Sequence, residues 1–420
     1  MDHFHLLDGE VHCEGVPLAQ IAAAVGTPVY VYSTATMVRH VEVMRAALAP
    51  LPDPLIAYAV KANPNAAVLA TLARAGAGAD IVSGGEYARA RSAGIPVDKI
   101  VFSGVGKIEA EMAEALKGGL YQFNLESDSE AEMLSEVATS LGLTAPVGFR
   151  VNPDVEAGTH AKISTGGAEN KFGIPIDTAL AAYRRAAALP GLAVQGVAVH
   201  IGSQLTNLAP LESAFRKVGA LIDELRTGGL DIQVADLGGG LGIPHNPALA
   251  DPPSPEEYGE MVRRIAGGWG ARLVFEPGRL IIGNAGILLS RVIRVKPGIS
   301  QPFLIVDAAM NDLMRPALYD AWHAIDAVAP RGEKMVANVV GPVCESGDTF
   351  ATAREMDHAE AGDLVLFRTA GAYSAAMSST YNSRPLTPEV LVDGDRWAVV
   401  RKRVSIADLI AADSVPDWLA

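Results

Sequence analysis

Lys61 is the residue whose position in the sequence best suits chemistry. It follows an apolar run from Leu55 to Val60, which predicts a buried strand of a parallel sheet. A lysine at the end of such a strand loses part of its hydration, and this loss disfavours the charged ammonium and makes the amine a usable nucleophile. The alternative is a structural lysine that extends its amine to water or pairs with a carboxylate. Lys61 is therefore a candidate nucleophile whose role depends on what the other strands carry.

Two further motifs contain groups that bind anions and rings. Gly238-Gly239-Gly240 follows another apolar run, and glycines there allow backbone amides to approach a phosphate. The alternative for these glycines is a tight structural turn. Glu276-Pro277-Gly278-Arg279 combines a carboxylate that can face a ring nitrogen with a guanidinium that can bind a carboxylate through two hydrogen bonds. Its alternative is a simple ion pair between Glu276 and Arg279.

His200 and Cys344 are the candidates for ring stacking and proton transfer. His200 follows a strand-like run that ends at Val199, where an imidazole can stack on a planar ring, move a proton or simply serve structure. Cys344 directly precedes Glu345. Neighbouring carboxylates disfavour a thiolate, so this thiol suits a proton donor better than a nucleophile. The alternative for the segment is an ordinary acidic loop.

The candidate residues are separated by a regular alternation of strand-like and helix-like segments. Apolar runs predict strands at Leu55–Val60, Ala79–Val82, Ile100–Phe102, Tyr121–Leu125, Val147–Val151, Gly196–Val199, Val234–Leu237 and Leu273–Phe275. Helical composition lies between them, at Ala66–Ala75, Glu86–Ser92, Ile108–Lys117, Asp128–Ser140, Ile176–Ala188, Leu211–Arg226 and Pro255–Ala266. This alternation predicts an α/β fold with a (β/α)8 barrel of the TIM type. A doubly wound open sheet is the alternative.

Polar residues or glycines lie at nearly every predicted strand end. In a (β/α)8 barrel the active site is built at the C-terminal ends of the strands, so these residues are expected around one mouth. They are Lys61, Ser83, Ser103, Asn124, Arg150, Asn152, His200, Gly238–Gly240 and Glu276. Their common placement favours the barrel over the open sheet and predicts a shared site.

After Arg279 the pattern changes to strands with few long helices. Strand-like runs occur at Ile287–Val295, Phe303–Val306, Met335–Val340, Leu364–Phe367, Val390–Val392 and Trp397–Val400. We expect the barrel to occupy residues 34–281 and a mostly β, barrel-like C-terminal domain to occupy residues 282–420. The short β pieces of residues 1–33 are expected to join the β domain, and Ser33 is expected to cap a helix that ends near Ala49.

The composition is that of a globular chain and argues against several kinds of partner. The 420 residues exceed the size of one core, so two domains are expected. The net charge of -14 argues against nucleic acid and anionic membranes. The two cysteines form no disulfide framework, and neither a secretory signal nor a membrane span is recognisable. We therefore expect a cytoplasmic protein with no bound metal.

The motifs together resemble those of the fold-type III, pyridoxal 5′-phosphate-dependent decarboxylases of ornithine, diaminopimelate and arginine, and the diaminopimelate-specific members most closely. They run in order over nearly the whole chain: Tyr58-Ala59-Val60-Lys61-Ala62-Asn63, Ser83-Gly84-Gly85-Glu86, His200-Ile201-Gly202-Ser203-Gln204, Gly238-Gly239-Gly240, Glu276-Pro277-Gly278-Arg279, Cys344-Glu345-Ser346-Gly347-Asp348 and Gly371-Ala372-Tyr373. The resemblance implies a carbon–carbon lyase that converts meso-2,6-diaminopimelate to L-lysine and CO2, the last step of lysine biosynthesis.

The resemblance also implies a role for each candidate residue. Lys61 bonds covalently to the cofactor, His200 stacks on its ring and Glu276 pairs with the pyridine nitrogen. The phosphate is held by Ser203, Gly238, Gly239, Gly240, Glu276, Pro277, Gly278, Arg279 and Tyr373. The substrate is bound by Arg279, Arg315, Tyr319, Glu345 and Tyr373. Cys344 is the implied proton donor, and Cys344 and Glu345 reach the site of the second subunit in a homodimer.

Three other functions remain compatible with this fold. The first is a decarboxylase of another amino acid, such as ornithine, arginine or lysine, or of a carrier-bound glutamyl group. Arg315 and Glu345-Ser346 favour diaminopimelate, because two arginines suit a second carboxylate. The second is a racemase, which needs proton donors on both faces of the cofactor. The third is a non-catalytic cofactor-binding protein, against which the β domain argues.

Overall fold

The computed structural model of the protein describes residues 2–156 and 170–419. The chain divides into two compact units. One contains residues 38–244 and 249–281, and the other contains residues 1–37, 245–248 and 282–420. The first is a (β/α)8 barrel and the second is mostly β, which confirms the predicted fold class.

The N-terminal segment begins with a small antiparallel sheet and ends in a long helix. The elements are β1 Phe4–Leu7, β2 Glu10–Cys13, β3 Val16–Pro17, α1 Leu18–Val25, β4 Val29–Ser33 and α2 Thr34–Leu48. Strands β1, β2 and β3 pair in sequence order. The Ser33 hydroxyl accepts a hydrogen bond from the Thr36 amide at 3.0 Å, which is the capping contact expected from the sequence.

Eight parallel strands within the described residues close into the barrel. They are β5 Leu55–Ala59, β6 Gly78–Ile81, β7 Ile100–Phe102, β8 Gln122–Leu125, β9 Ala145–Asn152, then, after the two-residue β10 Ile174–Pro175, β11 Leu192–Val199, β12 Val234–Asp236 and β13 Arg272–Phe275. The barrel closes because β13 pairs with β5 and β8 pairs with β9. The predicted strands all lie within two residues of these bounds, except that β11 begins four residues earlier than predicted.

The connections between the barrel strands are helical, as predicted. The helices are α3 Ala66–Arg74, α4 Gly84–Ser92, α5 Glu109–Gly118, α6 Asp128–Leu141, α7 Ile176–Ala188, α8 Ala209–Thr227, α9 Pro255–Ala266 and α10 Arg279–Ile282. None of the helices in the described ranges is long and apolar enough to cross a membrane.

The barrel interior is apolar at one end and polar at the other. Leu55, Ala57, Val101, Val234 and Val274 form a buried cluster. Leu55 and Val234 are the first residues of their strands, so this cluster fills the end of the barrel where the strands begin. Polar side chains lie at the C-terminal ends of the strands, where barrels of this type have their active sites.

The β unit is built on a second sheet that includes an N-terminal strand. Its elements are β14 Gly286–Lys296, β15 Phe303–Val306, α11 Arg315–Tyr319, β16 Ile325–Ala327, β17 Lys334–Val340, β18 Thr349–Asp357, β19 Leu364–Phe367, β20 Glu389–Asp393, β21 Arg396–Arg401 and α12 Ile406–Ala411. The strand order is β18-β17-β15-β14-β4-β20-β21, so β4 lies between β14 and β20. This confirms that the N-terminal strands join the β domain.

The core of the β unit explains the position of β4. Val29 and Val31 of β4 pack in one buried cluster with Ile287 and Leu289 of β14 and with Val390 of β20. These residues alternate along their strands, so each strand presents one apolar face to the same core. Burying each such side chain contributes roughly 1.5–3 kcal/mol, which favours this pairing over a free N-terminus.

Candidate active site

The C-terminal ends of the barrel strands surround a cavity of about 360 Å³. This is the size of sites that hold small cofactors and substrates. The lining residues come from nearly every strand end and include Lys61, Val82, Ser103, Gly104, Asn124, Arg150, Phe172, His200, Asp236 and Glu276. The cavity therefore brings together the polar strand ends that the sequence placed around one mouth.

Lys61 lies in a short 3-10 turn, Val60–Ala62, directly after β5. The turn ends where Asn65 caps α3, since the Asn65 side chain accepts a hydrogen bond from the Ala67 amide at 2.9 Å. The Lys61 Nζ donates to Asp80 Oδ2 at 2.7 Å. Asp80 is fully buried, whereas the Lys61 side chain is 37% exposed. Asp80 thus holds the amine at the cavity wall while the amine stays accessible.

Glu276 follows β13 and forms a buried hydrogen-bonded group with Asp236 of β12. The two carboxyls share a hydrogen bond. Ser103 Oγ donates to Glu276 Oε1 at 3.2 Å, and Asn124 Nδ2 donates to Asp236 Oδ2 at 2.8 Å. Burial raises the pKa of Glu276 well above its usual value, and the neighbouring carboxylates Asp236 and Asp80 raise it further. Burial also raises the pKa of Asp236 to about 6.

His200 follows β11, and its ring is fixed in one tautomer. The Gly239 amide donates to His200 Nδ1 at 3.2 Å, so Nδ1 is the acceptor nitrogen and any proton on the neutral ring lies on Nε2. Burial and the cations Arg150 and Lys61 hold the pKa of His200 well below its usual value. The imidazole is therefore neutral at pH 7 and presents an uncharged planar ring.

Arg150 links the His200 backbone to Glu126 and Phe172, which follow strands β8 and β9. Its guanidinium donates to the His200 carbonyl at 3.2 Å and to Glu126 Oε1 at 3.4 Å. It also lies 4.7 Å from the centroid of the Phe172 ring. Glu126 accepts hydrogen bonds from the Gly104 and Gly173 amides at 3.1 and 2.6 Å. This network connects the loops after β7, β8, β9 and β11 at the rim of the cavity.

The glycines after β12 are required by close backbone contacts. Gly240 has φ +114°, and a Cβ there would lie 2.4 Å from the Gly202 carbonyl oxygen. A Cβ on Gly239 would lie 2.3 Å from the Glu276 carbonyl oxygen. Gly238 has φ +64°, a conformation that glycine adopts without strain. The three glycines therefore let the loops after β11, β12 and β13 pack backbone to backbone.

Ser203 and Arg279 meet at the same edge of this packed region. Arg279 Nη2 donates to Ser203 Oγ at 3.3 Å, and Arg279 is 6% exposed. The Pro277 carbonyl accepts from the Ala59 amide at 3.2 Å, and the Gly278 carbonyl accepts from the Ile281 amide at 3.0 Å. Glu276 and Arg279 form no simple ion pair with each other, because Glu276 bonds with Asp236 and Ser103 instead.

The remaining candidates lie in the β unit. The Arg315 guanidinium lies 5.7 Å from the centroid of the Tyr319 ring, so these two are neighbours on α11. Cys344 and Glu345 are exposed, and the Tyr381 hydroxyl hydrogen-bonds to Glu345. Tyr373 has φ +54°, a left-handed conformation that non-glycine residues adopt rarely.

Asp348 fixes the exposed loop that carries Cys344. Its carboxylate accepts hydrogen bonds from the Val343 and Met310 amides, both at 2.7 Å. Burial raises the pKa of Asp348 above its usual value. The acidic motif therefore contains one structural carboxylate, Asp348, and one exposed carboxylate, Glu345.

Sequence reasoning missed Asp80 and Asp236 as parts of the site. Both lie inside runs that were interpreted as apolar strands, and a single aspartate within such a run was the signal that could have found them.

Ser83 and Asn152, which were expected at the mouth of the barrel, stabilise local structure. Ser83 caps α4 by accepting from the Glu86 amide at 3.2 Å, and Asn152 accepts from the Asp154 amide at 3.0 Å.

The comparison with family models identifies the class of this cavity. Residues 34–283 match the model of the pyridoxal-dependent decarboxylases, described as their pyridoxal-binding domain. The chain belongs to the pyridoxal-dependent decarboxylase family. Curated members similar to it over the full length are the diaminopimelate decarboxylases of Zymomonas mobilis, 52% identical over 99% of both chains, and of Pseudomonas aeruginosa, 50% identical over 99% of both chains.

Solved structures of decarboxylases from the family have the same fold. Diaminopimelate decarboxylase from M. jannaschii in complex with L-lysine is 36% identical, with a TM-score of 0.94 over 100% of this chain and 99% of that one. The Helicobacter pylori enzyme complexed with L-lysine is 37% identical, with a TM-score of 0.90 over 94% and 98%.

The residues around the cavity fit pyridoxal 5′-phosphate, the cofactor of this decarboxylase family. The cavity offers an accessible amine on Lys61, a buried carboxyl on Glu276 and a neutral ring on His200. The glycine loop leaves no room for side chains where backbone amides would approach a phosphate. Asp80 Oδ1 is buried without a hydrogen-bond partner among the described residues, so the cavity wall can accept one more donor. In the described parts of the chain, no group of three or more His, Cys, Asp or Glu could hold a metal ion.

Proposed function

We propose that this pyridoxal 5′-phosphate-dependent enzyme decarboxylates meso-2,6-diaminopimelate to L-lysine and CO2. The observation that carries the proposal is the joint lining of one cavity by Lys61 and Glu276 in a chain similar over its full length to diaminopimelate decarboxylases. The cofactor supplies an aldehyde that bonds to amines and a ring that accepts the electron pair left when CO2 departs.

Lys61 provides the amine that anchors the cofactor. Its ion pair with Asp80, at 2.7 Å, keeps Nζ at the cavity wall and gives the amine a defined position when it is not bonded to the cofactor. The surrounding strand end is apolar and buried, which limits competing hydration of the amine.

Glu276 and His200 act on the cofactor ring. Glu276 would keep the ring nitrogen protonated, and the electron-accepting capacity of a pyridine ring rises when its nitrogen carries a proton. His200 would stack on the ring as a neutral imidazole, whose orientation the Gly239 amide fixes. Ser203, the Gly240 amide and the segment from Glu276 to Arg279 would hold the phosphate, with Tyr373. The amides of Gly238 and Gly239 were also expected to contact the cofactor, but they already donate to Asp236 and His200.

Arg279 of the barrel unit and several residues of the β unit select the substrate. Arg279, Arg315 and Tyr319 bind its carboxylates, and Glu345 binds its distal amine. The position of Arg315 beside the Tyr319 ring restrains the guanidinium, and a guanidinium binds a carboxylate through two parallel hydrogen bonds. A second carboxylate on the substrate therefore gains from the two arginines, whereas ornithine and arginine have no second carboxylate.

Cys344 supplies the proton that replaces CO2 on the substrate carbon. The thiol is exposed on a loop that Asp348 holds in place by accepting a hydrogen bond from the Val343 amide. An exposed thiol on a fixed loop is what we expect of a group that acts in the site of a neighbouring subunit. We infer that the enzyme is a cytoplasmic homodimer in which Cys344 and Glu345 complete the site of the partner chain.

A substrate panel tests this function. The purified protein with pyridoxal 5′-phosphate is incubated with meso-, LL- and DD-diaminopimelate, ornithine, arginine and lysine, and CO2 and the amine products are measured. We expect CO2 and L-lysine in equal amounts from the meso substrate alone. Turnover of ornithine or arginine without turnover of diaminopimelate would overturn the assignment.

A second measurement tests the covalent role of Lys61. Borohydride reduction of the holoenzyme should fix the cofactor onto the peptide that contains Lys61, as detected by mass spectrometry. Lys61→Ala should lose both the label and the activity. Lys107→Ala is a matched control, because Lys107 is a buried lysine of the same barrel that pairs with Glu130 instead. Full activity in Lys61→Ala would remove the covalent role.

A further inference from the structure

The Asp236 carboxyl lies directly against Glu276, although the proposed mechanism gives it no role. Asp236 is the last residue of β12 and is 1% exposed, and β12 is the neighbour of β13, which Glu276 follows. The two carboxyls are hydrogen-bonded to each other. Two ionised carboxylates in contact repel strongly away from water, so a hydrogen bond between them requires one shared proton.

The surrounding donors decide which carboxyl holds that proton. Asp236 Oδ1 accepts from the Gly238 amide at 3.0 Å, and Oδ2 accepts from Asn124 Nδ2 at 2.8 Å. The Asn124 amide cannot turn over, because its Oδ1 already accepts from Gln122 Nε2 at 2.8 Å. Asp236 therefore has two fixed N–H donors, which favour its ionised form.

Glu276 receives less support for its ionised form. Ser103 Oγ donates to Glu276 Oε1 at 3.2 Å, and Asn124 Nδ2 in turn donates to Ser103 Oγ at 3.1 Å. Of the charged groups that act most strongly on Glu276, Asp236 and Asp80 favour its protonated form, and Lys61 favours its ionised form. The proton of the pair consequently lies on Glu276, which donates it to Asp236.

We propose that Asp236 is a positioning residue of the active site, which holds Glu276 as the proton-bearing member of a one-proton carboxyl pair. The proposal rests on the proposed function only in taking the cofactor ring nitrogen as the acceptor that Glu276 faces. Glu276 would give up its proton only to the ring nitrogen, whose positive charge would offset the two adjacent carboxylates, while the two donors keep Asp236 ionised and in place. The pair thereby delivers a proton within the cavity without help from water.

Infrared difference spectroscopy measures the proton of this pair directly. The carbonyl stretch of a protonated carboxyl is resolved from that of a carboxylate, and its loss is followed from about pH 5 to about pH 9 in holoenzyme and in cofactor-free protein. Glu276→Gln identifies the band in the cofactor-free protein. In Asp236→Asn we expect the midpoint of the Glu276 band to fall by at least about one pH unit, because the adjacent negative charge is removed.

A second variant keeps the test decisive where Asp236→Asn does not fold. Asn124→Ala removes one donor from Asp236, so the pair should hold its proton more tightly and the midpoint should move to higher pH. The opposite directions of the two shifts exclude a general loss of structure as their cause. Asp128→Asn is the control, because Asp128 is a surface carboxylate paired with Arg185 and its loss should leave the midpoint unchanged.

Cofactor affinity gives a second readout. The pH at which pyridoxal 5′-phosphate binding weakens, measured by fluorescence quenching, should move in the same direction as the infrared midpoint in each variant. The proposal is overturned if both folded variants keep the wild-type midpoint. If no form of the protein binds the cofactor, the proposed function fails, while the infrared shifts in the cofactor-free protein still decide the role of Asp236.

Discussion

Each charged side chain at the barrel mouth is balanced by a fixed partner of opposite charge or by a proton. Lys61 pairs with Asp80, and Arg150 pairs with Glu126. Glu276 and Asp236 share a proton, and burial together with the nearby cations Arg150 and Lys61 keeps His200 neutral. Buried charges are tolerated only when they are paired in this way. The mouth therefore keeps a nucleophilic amine, a proton-bearing carboxyl and a neutral ring within one cavity at neutral pH.

Glu86 gives a pH-dependent prediction at the residue scale. Burial raises its pKa from 4.5 to about 7, and its carboxyl accepts from the Val82 amide at 2.7 Å. Between these values the folded state binds a proton that the unfolded state releases, so the contribution of Glu86 to stability falls as the pH rises. Glu86→Gln keeps the acceptor and cannot ionise. We expect it to gain stability relative to wild type, by up to about 3 kcal/mol, as the pH rises from about 4 to about 7.

Thermal unfolding of both proteins across this pH range measures the difference. Glu212→Gln is the control, because Arg264 and Arg216 lower the pKa of Glu212 to about 2, and this carboxyl is already ionised throughout the range. The folded carboxyl stays ionised, so only protonation of the unfolded chain near pH 4 to 5 changes its offset from wild type, slightly and in the direction opposite to that expected for Glu86→Gln. An offset of Glu86→Gln that does not grow with pH would contradict the raised pKa of Glu86.

At this scale the sequence predicts the functional residues at the strand ends better than the supporting carboxylates within the strands. Lys61, His200 and Glu276 stand at the ends of apolar runs, where their polarity is conspicuous. Asp80 and Asp236 are single carboxylates within such runs, and their function depends on partners far away in the sequence. Asn124, for example, reaches Asp236 across 112 positions, a contact that local patterns do not encode.

The loops after β11 and β12 behave as one element. The Leu205 amide donates to the Gly240 carbonyl, and the Gly242 amide donates to the Leu205 carbonyl, both at 2.9 Å. The Gln204 side chain also donates to the Ile243 carbonyl at 2.6 Å. These contacts set Ser203 beside the glycine loop, so the geometry of the proposed phosphate site depends on backbone packing.

Gly240→Ala is expected to separate these loops. The new Cβ would lie 2.4 Å from the Gly202 carbonyl oxygen, and the residue would be held at φ +114°. We expect the affinity for pyridoxal 5′-phosphate to fall at least tenfold, which corresponds to about 1.4 kcal/mol. Equilibrium dialysis measures the affinity. Gly270→Ala is the control, because Gly270 also has positive φ, +61°, but nothing lies within 4 Å of its Cβ position. Equal affinities in the two variants would argue against the packed-loop explanation.

Among the elements, strands with a short continuous apolar run were predictable and strands with mixed polar and apolar residues were not. Strands β7, β15 and β19 match their predicted bounds, since each is a short continuous apolar run. The nine residues of β18, Thr349–Asp357, were missed. This strand mixes buried, partly buried and exposed positions, and Thr352, Ala353 and Glu355 are exposed, so no continuous apolar run marks it. Its partner β17 provides the pairing that the sequence of β18 alone does not reveal.

On the scale of the whole molecule, the candidate residues are divided between two units of the chain. The amine, the ring partners and the glycine loop belong to the barrel unit, and Arg315, Tyr319, Cys344, Glu345 and Tyr373 belong to the β unit. The sequence order of the motifs does not reveal which copy of the chain supplies each residue to a given site. That assignment requires an experiment on the assembled protein.

Subunit mixing tests whether the site is shared between two chains. Lys61→Ala and Cys344→Ala each inactivate every site of their own homodimer. If Cys344 serves the partner chain, a randomly mixed dimer has one intact site, and an equal mixture should recover about a quarter of wild-type activity. Mixing Lys61→Ala with His200→Ala is the matched control, because both lesions lie in the barrel unit and no mixed dimer has an intact site. Activity is measured as CO2 release, and differently tagged chains establish subunit exchange. If exchange is complete and the first mixture stays as inactive as the control, Cys344 acts within its own chain, because only that arrangement leaves every mixed site defective.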